Sequence, residues 1–301
     1  MLTSIVVPLD GSPFSEMALA RAADIARRTG ARLDLVRVLA PGYRPTMTRN
    51  VSPTDATLDQ DLRREAVEAL GATAQKLTVS GLVVSHAVVE GDVAAEILAH
   101  VKKQGAGLVV LATNGRTGLR RLLLGSVAAA LVRECPAAVL VVKAREAIST
   151  DVVASGDAVL LPFDGSERDY DALDLGATWS ALLVPGKLVL LHVVEPVTLP
   201  GRGDVDAVDR AALRDQRASA AEYLARLAAE LEGSSIKASV QTTPDDDATS
   251  GILRVASRVD ASLIAMVTRA RGGSRLWNPG SVADRVLREG DRDVLLVRER
   301  V

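Results

Sequence analysis

The chain has 301 residues, of which 48% are hydrophobic and 25% charged, a composition typical of a folded globular protein and not of a disordered one. Its 36 basic and 38 acidic residues give a formal charge of −2, which argues against nucleic acid and anionic membranes as partners. The single cysteine and three histidines offer neither a disulfide nor a metal site of familiar spacing. The sequence shows no signal peptide and no apolar run of membrane-spanning length, so we expect a cytoplasmic protein.

Strand and helix signals alternate along the first half of the chain. Residues 4–9 form a short apolar strand, after which Ser12 and Pro13 predict the start of a helix that ends near Gly30. Apolar strands interleaved with helices predict a parallel sheet covered on both faces, so this half is expected to be a five-stranded, doubly wound α/β domain. The remaining strands are predicted at residues 32–39, 83–89, 108–113 and 138–142, and the remaining helices at 55–79, 92–104 and 126–134.

The second half of the chain repeats the first. The segment IVVPLDGS, which contains Asp10, is answered by VLLPFDGS, which contains Asp164, 154 residues farther on. Near the end of the first half, LLLGSV is answered by WNPGSV at a spacing of 155 residues. The polar stretch 144–157 between the halves is a predicted linker. We therefore predict two domains of one fold, residues 1–145 and residues 156–301.

Two segments follow the strands at which a ligand site is expected. In open parallel sheets, ligands bind beyond the carboxyl ends of the strands where the strand order reverses, which here means after the first and fourth strands. Asp10-Gly-Ser follows the first, and residues 112–126, ATNGRTGLRRLLLGS, follow the fourth. Glycines in this loop can leave N–H groups facing an anion, and Gly125 and Ser126 open a helix whose N-terminus favours negative charge. No lysine follows Gly125, so this is not the GxxxxGK[ST] loop.

Each of these features also has a purely structural explanation. The glycines could belong to a flexible loop with Ser126 as an ordinary helix N-cap, and Asp10 could be a turn residue whose carboxylate caps the first helix. Val38 could be a core residue, and Arg116, together with Arg120 and Arg121, could form a solvated face. The sequence leaves these alternatives open.

The combination of motifs resembles the universal stress protein family. It consists of Asp-Gly-Ser after the first strand, G-x2-G-x9-G-S with Ala112 in place of the first glycine, and a closing Pro-x-x-Val-Leu-Val-Val strand. The resemblance covers nearly the whole chain, twice. It implies two tandem Rossmann-like domains of the adenine nucleotide alpha hydrolase-like type, with an adenine nucleotide, usually ATP with or without Mg, lying across the sheet ends.

The resemblance also implies the residues of the site in the first domain. Asp10 would contact the adenosine, Val38 would pack on the base, and the glycine loop would hold the phosphates. The methyl group of Ala112 would either be tolerated or push the backbone away from the ligand. The implied contacts are Pro8, Asp10, Val38, Ala112, Gly115, Arg116, Gly118, Gly125, Ser126 and Val127.

The phosphate loop of the second domain departs further from the family pattern. Ala270 stands where the first domain has Gly115, and Pro279 removes an N–H group next to the later glycine. Arginines keep this loop cationic, which would suit an anion held by side chains. We predict a largely intact loop in the first domain, a degenerate one in the second, and nucleotide bound mainly by the first. The implied contacts that remain in the second domain are Asp164, His192, Val193, Gly280 and Ser281.

Three functions fit these features. The first is a nucleotide-binding regulatory protein of a stress response, and the second is a slow ATP hydrolase that relies on Asp10 and a metal carried by the nucleotide. The third is an interaction protein whose nucleotide sites are vestigial. No residue is assigned a catalytic role. The resemblance also implies that the last, apolar strands of the two domains pair with each other, and a homodimer is left open.

Overall fold

The chain folds into two compact units, the first built from the amino-terminal half and the second from the carboxyl-terminal half. The structure, a computed structural model, describes residues 2–40, 56–113, 124–143, 156, 158–166, 169–184, 186–196, 205–234, 236–268 and 281–298. Among these residues, no helix is long and apolar enough to cross a membrane.

The first unit is a five-stranded parallel sheet with the strand order β3-β2-β1-β4-β5. This confirms the predicted doubly wound α/β domain. Its strands are β1 (Ser4–Pro8), β2 (Arg32–Leu39), β3 (Val84–Glu90), β4 (Leu108–Thr113) and β5 (Ala138–Lys143). Its helices are α1 (Pro13–Thr29), α2 (Ala56–Val79), α3 (Val93–Gln104) and α4 (Ser126–Glu134).

The second unit repeats this architecture, with the strand order β8-β7-β6-β9-β10 and every described pair parallel. The predicted tandem repeat is therefore confirmed at the level of the fold. Its strands are β6 (Ala158–Phe163), β7 (Lys187–Val194), β8 (Lys237–Pro244), β9 (Ala261–Thr268) and β10 (Asp293–Arg298). Its helices are α5 (Asp169–Leu183), α6 (Val205–Ala229), α7 (Ala248–Arg258) and α8 (Val282–Glu289).

Local sequence signals define the first helix as predicted. Ser12 is the N-cap, and its hydroxyl oxygen accepts a hydrogen bond from the Ser15 amide at 3.3 Å. Pro13 follows at the first helical position, where its missing N–H group has no intrahelical partner in any case. Gly30 ends the helix with φ +72°, in the left-handed conformation that glycine adopts without steric cost.

Each face of the first sheet carries its own pair of helices. The chain winds from β1 outward to β3 and then from β4 outward to β5, so right-handed crossovers place α1 and α2 on one face and α3 and α4 on the other. In agreement, α1 packs against β1 and β4, and α3 packs against α4. Ile5, Val6 and Val7 of the central strand are fully buried between these layers.

Candidate functional site

The strand order of the first unit reverses between β1 and β4, which lie side by side at the centre of the sheet. Parallel strands in register point their paired side chains to the same face. Because Val6 pairs with both Asp34 and Val109, the alternation of side chains places Pro8, Val38 and Thr113 on one face. These three positions define the carboxyl edge at which a ligand is expected.

The face that carries Val38 is the one covered by α3 and α4. Arg32 shares this face, since it lies an even number of residues from Val38 along β2. Its Nη2 donates a hydrogen bond to Oε1 of Gln104 on α3 at 3.0 Å. The start of α4 therefore lies on the same side of the sheet as Pro8, Val38 and Thr113, and this group forms the candidate site.

Asp10 shapes the turn that follows β1. Its Oδ1 accepts a hydrogen bond from the Ser12 amide at 2.9 Å. Burial raises the pKa of Asp10, but hydrogen bonds from Ser12 and Ser15 outweigh burial and hold the net pKa below its ordinary value. Asp10 is thus a turn residue, as the structural alternative holds, but the hydroxyl of Ser12 and not the Asp10 carboxylate is the N-cap of α1. Asp10 is exposed and remains available to a ligand.

Arg37 lies over this turn and was missed at the level of sequence. Gly11 has φ +82°, and a Cβ at this position would lie 3.4 Å from Nη1 of Arg37. Glycine is therefore favoured by its backbone conformation, and the guanidinium lies at van der Waals contact distance from this position. Arg37 alternates with Val38 along β2, so it approaches the turn from the opposite face of the sheet. The available signal was a charged residue in the run Leu35-Val36-Arg37-Val38-Leu39, which is otherwise apolar.

Thr113, the last residue of β4, is a second polar residue that sequence reasoning missed. Its Oγ1 is buried and has no hydrogen-bond partner within the described part of the chain. A buried hydroxyl normally has a partner, and leaving one without costs free energy. Ala112 precedes Thr113 on β4. Because side chains alternate along a strand, the Ala112 side chain points to the opposite face, away from Val38. Thr113, and not Ala112, presents a side chain toward the candidate site.

The start of α4 is open. Gly125 is the N-cap with φ −54° and ψ 151°, and within the described part of the chain no side chain caps the helix. Among the described residues, no atom lies within 4 Å of where a Cβ of Gly125 would stand. Ser126 and Val127 are the first two helical residues, so the expectation that Ser126 is the N-cap is wrong. The first amides of a helix have no intrahelical partner, and together with the helix dipole they favour an anion.

Some of the predicted contacts cannot be placed. Gly115, Arg116, Gly118 and Gly280 lie outside the described residues, so their roles remain predictions. Of the predicted set in the first domain, the structure brings Pro8 and Val38 to one face and places the uncapped start of α4, at Gly125, Ser126 and Val127, on the same side.

The matching helix of the second unit starts differently. Ser281 is the N-cap of α8, and its hydroxyl oxygen accepts a hydrogen bond from the Asp284 amide at 3.3 Å. Asp284 is itself in the first turn of α8 and is only 3% exposed. The N-terminus of α8 thus has a side-chain cap and a carboxylate in its first turn, whereas the described part of the N-terminus of α4 has neither.

The turn after β6 is held by internal hydrogen bonds. Asp164 accepts from the Ser166 amide at 3.0 Å, as Asp10 does from Ser12. Oδ2 of Asp169 in addition accepts from the Gly165 amide and from the Tyr223 hydroxyl, both at 2.9 Å. Burial raises the pKa of Asp169, and the nearby Asp164 raises it further, whereas the Tyr223 and Gly165 hydrogen bonds oppose this shift.

The two remaining predicted contacts of the second unit are engaged with their own domain. Nδ1 of His192 lies 3.1 Å from the carbonyl oxygen of Phe163, and its ring covers Gly165 as Arg37 covers Gly11. Val193 packs so closely on α7 that a Cβ at Gly251 would lie 2.7 Å from Cγ1 of Val193. Both side chains therefore contact elements of the second unit itself.

Two consecutive doubly wound domains, each with Asp-Gly-Ser after its first strand and Gly-Ser at the start of its last helix, define a tandem protein of the Rossmann-like class. The family model of the universal stress protein family matches residues 1–143 and 157–298. The chain belongs to the universal stress protein family, and both of its halves carry the family domain.

Curated relatives each match about half of this chain. A universal stress protein of Methanocaldococcus jannaschii is 33% identical over 139 residues, which is 46% of this chain and 81% of that protein. A universal stress protein of Bacillus subtilis is 28% identical over 148 residues, 48% of this chain and 100% of that protein. The crystal structure of a universal stress protein from Archaeoglobus fulgidus covers 98% of both chains with a TM-score of 0.69 and 22% identity, a likeness of fold.

Proposed function

We propose that this chain is an adenine-nucleotide-binding universal stress protein in which the first domain holds the nucleotide, ATP with or without Mg. The observation that carries the proposal is the start of α4, where Gly125 leaves the helix without a side-chain cap. Phosphate is the ligand that such a helix terminus favours. In α8 the hydroxyl of Ser281 caps the equivalent terminus, which supports the first domain as the main site.

The other residues of the candidate site fit the rest of a nucleotide. Val38 presents an apolar surface for a base on the face that carries α4, and Asp10 offers an exposed carboxylate that can accept hydrogen bonds from ribose hydroxyls. The buried Oγ1 of Thr113, which has no partner in the described chain, would gain one from the ligand. The glycine loop between β4 and α4 would supply further amides to the phosphates.

We propose a regulatory function in which nucleotide is held and not rapidly hydrolysed. His100 interacts with Asp34, four residues before Val38 on β2, and so lies away from the carboxyl edge. His86 lies against α2, where its Nε2 is 3.6 Å from the position of a Cβ at Gly71. Neither histidine of the first domain is therefore placed to act as a general base at the site. Phosphate release no faster than from an Asp10→Ala variant would agree with this function.

Isothermal titration of the nucleotide-free chain with Mg-ATP tests the proposal. We expect about one nucleotide per chain. In Gly125→Ala, binding should weaken at least about tenfold, because the added methyl would occupy space at the helix start where the phosphate is proposed to lie. The fold should not be strained, since no described atom lies within 4 Å of this methyl. Ser281→Ala is the matched control in the second domain and should bind as the unmodified chain does. Absence of binding by the unmodified chain would reject the function.

We also propose that the two domains pair through their last strands. In its own half, β5 ends the strand order and consists of six buried residues, and β10 ends the order of the other half. Apolar edge strands need cover, and each could cover the other. Small-angle scattering that shows two separate, freely moving lobes would contradict this pairing.

A further inference from the structure

The residue four positions after the Gly-Ser glycine differs between the halves. It is Ala129 in α4 and Asp284 in α8, which are 155 residues apart, the spacing of the two Gly-Ser pairs. Ala129 is half-buried and lacks a polar side chain, and its amide donates to the carbonyl oxygen of Gly125 at 2.9 Å. Asp284 brings a buried carboxylate into the first turn of its helix.

The arginines around the two helix starts are engaged differently. Nε of Arg288 donates to Oδ1 of Asp284 at 2.9 Å. The matching arginine in α4, Arg133, donates instead to Glu134 at 2.7 Å, beyond the first turn. Arg285 also lies on α8, and it donates to both carboxylate oxygens of Asp247 at 2.6 and 3.0 Å. The cations of α8 are thus bound to carboxylates of their own domain.

A carboxylate in the first turn competes with phosphate for the same helix terminus. Side chains of a helix tilt toward its N-terminus, so a charge in this turn lies near the first free amides. It stabilises the helix dipole in place of an external anion and repels an anion that approaches. Ser281 removes a further amide by capping it. The two features together turn an anion-binding helix start into one that is internally neutralised.

Resting on the proposed function, we propose that the residue four positions after the Gly-Ser glycine decides which half accepts phosphate, so that Ala129 permits binding in the first domain and Asp284 excludes it from the second. The position is a specificity-determining one, because a substitution there changes the charge of the helix start without removing any amide that would contact the ligand. It also explains why two domains of one fold would hold a single nucleotide.

The test places the charge of the second domain into the first. Ala129→Asp and its neutral, nearly isosteric control Ala129→Asn are titrated with Mg-ATP beside the unmodified chain, and thermal unfolding is followed for all three. We expect Ala129→Asp to bind Mg-ATP about tenfold or more weakly than the unmodified chain. Ala129→Asn should bind within about threefold of the unmodified chain. Ala129→Asp should unfold at no lower temperature than Ala129→Asn, since an acidic residue near the start of a helix is favourable.

The outcomes distinguish a failure of this proposal from a failure of the proposed nucleotide-binding function. If the unmodified chain binds nucleotide tightly and Ala129→Asp binds it equally tightly, the proposed exclusion by Asp284 is overturned, and the function is not. Binding of two nucleotides per unmodified chain would have the same meaning. Equal weakening in the Asp and Asn variants would also overturn it, because size and not charge would then be responsible. No binding by the unmodified chain would overturn the proposed function and this proposal with it.

Discussion

Ser126 and Ser281 follow matching glycines in the two halves, yet they occupy different positions in their helices. Ser281 is the N-cap of α8 and its hydroxyl accepts the Asp284 amide, whereas Ser126 is the first residue of α4 and Gly125 is the N-cap. The second helix thus starts one residue later relative to its motif. The same dipeptide closes one helix start and leaves the other open.

This difference predicts unequal costs for the same substitution. Ser281→Ala should lower the free energy of unfolding by about 1 kcal/mol, because it removes an N-cap hydrogen bond. Ser126→Ala should lower it by less than about 0.5 kcal/mol, because no cap is lost. Urea unfolding of both variants at neutral pH measures the contrast. A larger cost for Ser126→Ala would show that the helix starts have been assigned the wrong way round.

A buried carboxylate at the amino end of the first sheet makes a second prediction. Oδ2 of Asp34 accepts from the Ser4 hydroxyl at 2.5 Å and from Nη2 of Arg32 at 3.0 Å, and Oδ1 accepts from Nε of Arg32 at 2.9 Å and from the Ser85 hydroxyl. Asp34→Asn should cost about 2 kcal/mol, because the amide can no longer accept all of these bonds. Urea unfolding checks this value, and Asp24→Asn, at an exposed pair with Arg27, is the control with under about 0.5 kcal/mol expected.

The pH dependence of the Asp34 variant has a definite sign. Burial alone would raise the pKa of Asp34, but the hydrogen bonds from Arg32, Ser4 and Ser85 outweigh it and lower the pKa. A depressed pKa contributes stability above the unfolded value of about 3.9, and this stability is lost as the pH falls through the folded pKa. Asp34→Asn should therefore lose less stability than the unmodified chain below about pH 4. Parallel acid curves would rule out this role for Asp34.

Much of the fold followed from local patterns in the sequence. The bounds of β2 and β4 coincide with the predicted strands at 32–39 and 108–113, because segments of this length that are rich in leucine and valine are bounded there by polar or glycine-containing segments of the sequence. The cap of α1 at Ser12 was predicted for the same local reason. The shared loop motifs were enough to predict the repeat.

The residues that escaped prediction depend on tertiary contacts. Arg37 reaches Gly11 only because β1 and β2 are paired, and Thr113 faces the site through the register of three strands. The shifted start of α8 depends on whether the Ser281 hydroxyl accepts a hydrogen bond from the Asp284 amide. The hydrophobic periodicity of the sequence does not predict these contacts, because each depends on a small energy difference between two similar local arrangements.

His100 predicts a further pH effect. It is 8% exposed, and its Nε2 has no partner in the described chain. Burial lowers its pKa, Lys103 and Arg32 lower it further, and Asp34 opposes them. A lowered histidine pKa means that stability is lost as the pH falls below the unfolded value of about 6.5. His100→Val, which copies the fully buried Val255 at the matching position of the second half, should flatten the unfolding free energy between about pH 6.5 and 5. An unchanged slope would contradict this role.

The turn after β6 should depend on the Tyr223 hydroxyl, which donates to Asp169 at 2.9 Å. This bond favours the charged carboxylate and opposes the burial that raises the pKa of Asp169. Tyr223→Phe should therefore raise that pKa further and lower the free energy of unfolding by about 1.5 kcal/mol at pH 7, but by less near pH 4, where the carboxyl gains its proton. Urea unfolding at both pH values measures this difference. Tyr170→Phe, at an exposed tyrosine of α5, should cost under about 0.5 kcal/mol, and an equal cost of Tyr223→Phe at both pH values would mean that its hydroxyl does not stabilise the Asp169 charge.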